Sequence, residues 1–194
     1  VDRVPMRQNP KLFDRVIQDI QKGLADRLPW LDYSFGRAER LIKVVDGKRI
    51  YTPNVYKGND QYEVLLPDDR MRCFSFFVLS EPQEMLNRVQ NEIRIKAPFS
   101  LIVWFDLRVV EKVMQLPDER NTEQVKEQIL GVLNTAFPKK GSFTVQRIYE
   151  RAENVFEGFT LDEVQNQFLM SPFAGFRFCG KPTRPCAEHH KESE

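Results

Sequence analysis

The chain has 194 residues, 41% hydrophobic and 29% charged, with a formal net charge of +1 from 29 basic and 28 acidic side chains. This suits one large soluble globular domain, or a domain with arms, that can bury a real core. The balanced charge argues against a dedicated nucleic-acid binder, which needs a basic excess to neutralise phosphates, and no run of roughly 18 apolar residues is present to make a transmembrane helix.

Residues 1–9 are polar, have no apolar signal core and read as an arm. Asn9-Pro10 then offers an N-cap followed by proline at the first helical position. Phe13, Val16, Ile17, Ile20, Leu24 and Leu28 follow at helical spacing, and Pro29 stops the helix. Residues 41–45 (LIKVV) and 48–51 (KRIY) flank Asp46-Gly47, a strong hairpin signal. Residues 62–66 and 73–79 read as strands, whereas the mixed periodicity of 85–95 selects neither helix nor strand. Residues 99–105 (FSLIVWF) are apolar at every position. Such a strand is covered on both faces, which predicts the central strand.

Asn121 opens a second helix, with Gln124 placed for a capping-box variant. Its apolar side is Val125, Ile129, Val132, Leu133, Ala136 and Phe137, and residues 138–141 close it. Residues 142–149 alternate as a strand. Residues 160–163 have capping-box spacing and predict a short helix through Phe168, broken at Ser171-Pro172. Residues 173–179 form the last strand, and 181–194 carry proline and charge without an apolar run. The expected organisation is an N-terminal arm at 1–9, a single domain at 10–180 and a polar C-terminal tail at 181–194. The fold class is α+β: a single mostly antiparallel sheet with a β-hairpin, packed against two or three helices.

The chain lacks the residues of any common catalytic apparatus, so no enzyme activity is expected. Its nine glycines are scattered, with no G-x-G, G-K-[ST] or G-x-S-x-G motif. Both histidines, His189 and His190, lie in the tail, where a base inside the fold cannot sit. Cys179 and Cys186 join them as the one cluster of soft ligands. The six residues between these cysteines are not a usual zinc spacing, and adjacent histidines tend to point apart. No metal or cofactor is expected, and the three sparse cysteines suggest reduced thiols in a cytosolic setting.

Asp68-Asp69-Arg70 and Asp118-Glu119-Arg120 follow prolines and read as solvated turns, the alternative being acid–base work. Lys43, Lys48, Arg49, Arg70 and Arg72, interleaved with Tyr51 and Tyr56, read as a solvated face or as a nucleic-acid surface. There are fifteen phenylalanines. Phe173, Phe176 and Phe178, with Phe74, Phe76 and Phe77, exceed what one small sheet face needs. They read either as a Phe-rich core or as a protein–protein interface, where aromatics are enriched.

The order of elements runs through LDYSFGRAER at 31–40, PFSLIVWFDL at 98–107, TEQVKEQILGVL at 122–133, SFTVQRIYERAENVFEGF at 142–159 and SPFAGFRFCG at 171–180. In this order and phrasing it resembles the small head–tail junction proteins of tailed phages, the tail-terminator and tail-completion family. It also resembles proteins encoded in Bacteroidetes prophage regions. The similarity covers most of residues 10–180, and the chain is longer than typical members around 52–98 and after Cys179.

The resemblance implies a virion structural protein without an active site. Such a protein is assembled in the host cytoplasm, forms a homo-oligomeric ring at the neck or tail end and docks on other virion neck or tail proteins. Candidate interface residues are Phe173, Phe176, Phe178, Lys48, Arg49, Pro182 and Pro185, with both terminal arms expected to bind neighbouring subunits. The residues themselves keep two other readings open: a small cytosolic enzyme using carboxylates such as Asp68 and Asp69, and a nucleic-acid-binding accessory factor. No membrane contact is expected.

The interior placement of residues 99–105 makes a direct prediction. Val103→Asp should bury an unpaired carboxylate and cost several kcal/mol of stability. An unchanged midpoint of thermal unfolding would show that this stretch is not interior.

Overall fold

The computed structural model describes residues 3–89, 92–135, 143–182 and 186–189. The N-terminal apolar stripe forms helix α1 (Phe13–Arg27), which buries Phe13, Ile17, Ile20 and Leu24 on one side. It begins three residues beyond Pro10, because Leu12 takes a left-handed conformation (φ 47°) and no side chain caps the start. It ends before Pro29, whose ring drives Leu28 out of the helical region (φ −108°, ψ 88°).

Strands β1 (Tyr33–Arg37), β2 (Glu39–Val45), β3 (Lys48–Gly58), β4 (Gln61–Val64) and β5 (Phe74–Leu79) follow. The ambiguous segment resolves into β6 (Glu84–Val89) and β7 (Glu92–Lys96), and the apolar run becomes β8 (Phe99–Asp106). Helices α2 (Leu107–Met114) and α3 (Thr122–Thr135), strand β9 (Phe143–Tyr149), helix α4 (Ala152–Val155), and strands β10 (Phe173–Pro182) and β11 (Cys186–His189) complete the chain.

The main sheet has the order β1-β5-β8-β10-β9, and every residue of β8 is buried at its centre. Only β1–β5 is parallel; the other neighbours are antiparallel. The alternation of β8 splits the core in two. Phe99, Leu101, Val103 and Phe105 pack with α1 and α3 side chains such as Ile20, Leu24, Ile129 and Leu133. Ile102 and Trp104 pack on the other face with Phe74, Phe76, Phe156 and Phe168.

The α+β class and the mostly antiparallel main sheet are as the sequence suggests. The hairpin does not extend that sheet, however. It forms a second sheet, β2-β3-β4, while β11-β7-β6 forms a third. Three further elements depart from the sequence reading. Helix α2 follows β8 without a break, capped by Asp106, whose side chain accepts from the Arg108 N–H. Helix α4 is a single turn, and the predicted helix through Phe168 is a turn followed by a 3-10 segment (Asn166–Leu169). Asn121 does cap α3, accepting from the N–H groups of Glu123 and Gln124 at 3.1 and 3.3 Å. The predicted end of α3 at 136–141 lies outside the described residues.

Neither terminal segment matches the expected arm. Residues 3–8 lie along their own domain: Arg3 accepts from the Ser34 N–H at 2.9 Å and donates to the Leu31 carbonyl at 2.8 Å. Gln18 and Gln21 of α1 donate to the carbonyls of Arg7 and Pro5 at 2.7 and 3.0 Å. At the other end, β10 runs on to Pro182, and β11 pairs antiparallel with β7, Cys186 opposite Ile95 and His189 opposite Glu92. Main-chain pairing needs no apolar run, so composition alone made these residues look like a tail. Pro185 lies outside the described residues.

Gly175 sits opposite Trp104 across β10 and β8, where a Cβ would overlap the buried indole and approach the Val103 carbonyl. Neither neighbour is free to move, so Gly175→Ala should destabilise by about 1–3 kcal/mol through overpacking. Chemical denaturation should show a lower midpoint at an unchanged slope.

Candidate functional site

The aromatic residues first in view for an interface do not face outward. Phe176 and Phe178 are buried among the residues around α3, and their rings lie 5.7 Å apart. Phe173 is half-buried, edge-on to Phe168 at 5.4 Å and under the Arg108 guanidinium at 5.7 Å. Phe74, Phe76 and Phe77 are wholly buried as well. The abundance of phenylalanine is therefore largely a property of a two-sided core, and of these rings only Phe173 keeps part of its surface exposed.

The acidic candidates resolve into turns. Asp68 accepts from the N–H groups of Arg70 and Met71 and from the Arg70 guanidinium. Asp118 pairs with Arg120 at 3.2 Å, and Arg120 also binds Glu111 through backbone and side chain at 2.7 and 2.5 Å. Among the described residues no three His, Cys, Asp or Glu side chains gather as they would around a metal. The side chains of Cys186 and His189, and the whole of His190, lie outside those residues. Cys73 is buried, and loss of hydration pushes its thiol up to about 12, which leaves it protonated and unreactive at neutral pH.

Of the groups singled out from the sequence, Lys43, Lys48 and Arg49 on the hairpin are left exposed. The base of the hairpin is fixed to the body by a two-way contact: the Tyr51 N–H donates to Thr160 Oγ1 at 3.1 Å, and the Thr160 N–H donates to the Tyr51 carbonyl at 2.8 Å. Ile50 and Thr52 bury against the domain. Beyond that base, residues 42–49 are exposed on both faces. The register places Ile42 opposite Tyr51 and Val44 opposite Arg49 on one face, and Lys43 opposite Ile50 and Val45 opposite Lys48 on the other. Ile42 is 59% exposed, Val44 69% and Val45 42%. The Arg40 guanidinium lies over the Tyr51 ring at 4.0 Å beside them.

No ion pair among the described residues takes up Lys43, Lys48 or Arg49. The other two cations of the sequence patch are engaged elsewhere, Arg70 with Asp68 and Arg72 with Asp106. The hairpin thus gathers the basic and the β-branched apolar residues of 41–51 on one projecting ribbon. Of the interface candidates, Lys48 and Arg49 lie on it. Pro182 ends β10 opposite Phe143, away from the hairpin.

Alongside the hairpin runs a groove of about 930 Å³ between residues 5–8, the β1–β2 junction and the β3–β4 turn. Tyr56 and Tyr62 line it as a tilted pair with centroids 5.2 Å apart, both about half exposed. Arg7 bridges Asp14 at 3.3 Å and Glu39 at 3.8 Å, and Lys57 pairs with Glu63. Partial loss of hydration, then the neighbouring Glu39 carboxylate, hold the Tyr62 phenol above its ordinary value. The sequence signal for this surface was the run LIKVVDGKRI itself. It predicts a hairpin but cannot say that the hairpin leaves the main sheet.

A separate ionic cluster closes the C-terminal end of β8. Asp106 is fully buried and receives the guanidinium groups of Arg72 and Arg108 and the Arg108 N–H. Burial alone would raise its carboxyl, but the bonds from Arg108 and Arg72 outweigh it and hold the group below its ordinary 3.8. Nearby Asp32 accepts from the Cys73 N–H at 3.2 Å and is raised by burial. Every group in this cluster serves to satisfy another, so it reads as a structural clasp.

No family model, curated protein or solved structure matches this chain.

Because the folded-state value of Asp106 is depressed, its stabilisation is present above the unfolded value near 3.8 and lost as pH falls through the folded value. Asp106→Asn keeps an acceptor for the cap and removes the charge. It should cost about 1.5–3 kcal/mol at neutral pH, and the gap to the parent should begin to narrow below about pH 4. Asp32 titrates in the opposite sense but is common to both proteins and cancels in the difference. A gap that is constant from pH 7 to pH 3 would refute this account of the clasp.

Proposed function

We propose that this chain is a virion structural protein of the phage neck or tail junction, of the tail-terminator or head–tail connector type, acting by ring-like self-assembly. The observation that carries the proposal is the projecting β2–β3 ribbon, with Ile42, Val44 and Val45 open to water on a strand that, among the described residues, is paired along one edge only. An apolar edge strand left bare is an aggregation hazard that proteins normally blunt or cover. Covering the apolar area that these side chains still expose contributes about 25 cal/mol per Å² to association. Lys48 and Arg49 flank the apolar stripe, as a polar rim flanks an interface core.

The carboxylate-enzyme reading has less support, since Asp68 commits both oxygens to its own turn. A nucleic-acid reading rests on three exposed cations at the hairpin tip. It would show as DNA affinity that falls steeply with salt.

The test is the purified full chain in multi-angle light scattering and negative-stain microscopy. The proposal expects a closed ring of identical copies. A monomer at every concentration reached would remove it. The double substitution Ile42→Thr with Val44→Thr should reduce the assembled mass while moving the unfolding midpoint of the isolated subunit by no more than about 0.5 kcal/mol equivalent, as for other exposed sites.

A further inference from the structure

We infer that the free edge of β2 pairs antiparallel with the β2 of a second copy, about a two-fold axis through Leu41. The inference rests on the self-assembly reading and names the contact. Among the described residues β2 hydrogen-bonds to β3 alone, so its outer edge carries unpaired main-chain donors and acceptors. Such an edge is a template for another strand. A second copy of the same edge is the occupant favoured by the charges along it.

In an antiparallel self-pairing the two-fold axis passes through a residue that faces its own copy, and that residue sets the register. An axis through Leu41 places Glu39 of each copy opposite Lys43 of the other, giving two opposite-charge pairs. It also sets Ile42 opposite Arg40 and Val44 opposite Ala38, so the exposed Ile42 side chains of the two copies become diagonal neighbours on one face. An axis through Lys43 sets that lysine against its own copy. Like charges directly opposite are destabilising, and opposite charges favourable. An axis through Ile42 avoids repulsion but forms no ion pair. The Leu41 register is thus the best matched of the three.

Both charged groups are accessible. Glu39 is 41% exposed in its side chain and held only by a 3.8 Å contact to Arg7 and by Tyr62, while Lys43 is exposed. The product is one six-stranded sheet, β4-β3-β2 continued into β2-β3-β4 of the other copy. An isologous contact of this kind joins copies in pairs. An assembly in which every subunit uses it therefore holds an even number of chains.

The register can be read by cross-linking the full chain. On a two-fold axis a residue meets its own copy, with Cα atoms about 4.5–5.5 Å apart, within the range of a disulfide. Leu41→Cys should give a covalent dimer under mild oxidation, and Val44→Cys, which would face Ala38, should not. In a dilution series followed by light scattering, Lys43→Glu should weaken association roughly tenfold or more. Combining Lys43→Glu with Glu39→Lys should restore it. If the parent associates but Leu41→Cys does not cross-link, or cross-links no better than Val44→Cys, the pairing is wrong and self-assembly stands. If the parent does not associate at all, both readings fall. Failure of the double exchange to rescue Lys43→Glu, when both variants keep the parent unfolding midpoint, would also overturn the register.

Discussion

The rest of the structure depends on the burial of β8 on both faces. Eight consecutive residues from Phe99 to Asp106 are out of water. A strand apolar at every position must find a cover for each side, and here one cover is helical and the other is built from β-strands, α4 and a 3-10 segment. Full burial of side chains such as Leu101, Val103 and Phe105 contributes about 1.5–3 kcal/mol each. That outweighs the backbone entropy of about 1–2 kcal/mol per residue lost in ordering the strand. Once β8 is fixed, β5 and β10 are drawn in as its neighbours, and their phenylalanines fill both layers.

The polar groups of the domain settle around that constraint. Asp106 stands where the apolar run stops, and its buried carboxylate caps α2 while two arginines satisfy its remaining lone pairs. Gln21, although on the buried side of α1, donates to the Ser34 and Pro5 carbonyls, and Ser34 Oγ donates back to the Gln21 carbonyl. Buried polar groups are tolerated when each finds a partner. This one also ties residues 3–8 to the domain.

A core that takes up most of the phenylalanines leaves the exposed hairpin to other residue types. The surface on offer is β-branched, basic and tyrosine-bearing, on a ribbon anchored only at its base. Edge strands bind through main-chain hydrogen bonds, with side-chain pairs setting register. The pattern Glu39, Lys43 and Ile42 along β2 supplies such pairs without any deep pocket.

Much of this could be read from the chain itself, because local physics decides it. The spacing of Phe13, Ile17, Ile20 and Leu24 dictates a helix, Pro29 its end, and Asn121 the start of α3. Asp46-Gly47 dictates a hairpin, and the unbroken run 99–105 the interior strand. Other features depend on contacts between distant residues. Helix α2 had no readable start, since its cap is also the last residue of a strand. The segment 84–96 shows no clean period, and β11 shows no apolar run, because both are strands held by pairing with each other. The phenylalanines of β10 look the same in sequence whether they face a core or a partner. Only the sheet order, which puts β10 between β8 and β9, turns Phe176 and Phe178 inward and leaves Ile42 and Val44 outside.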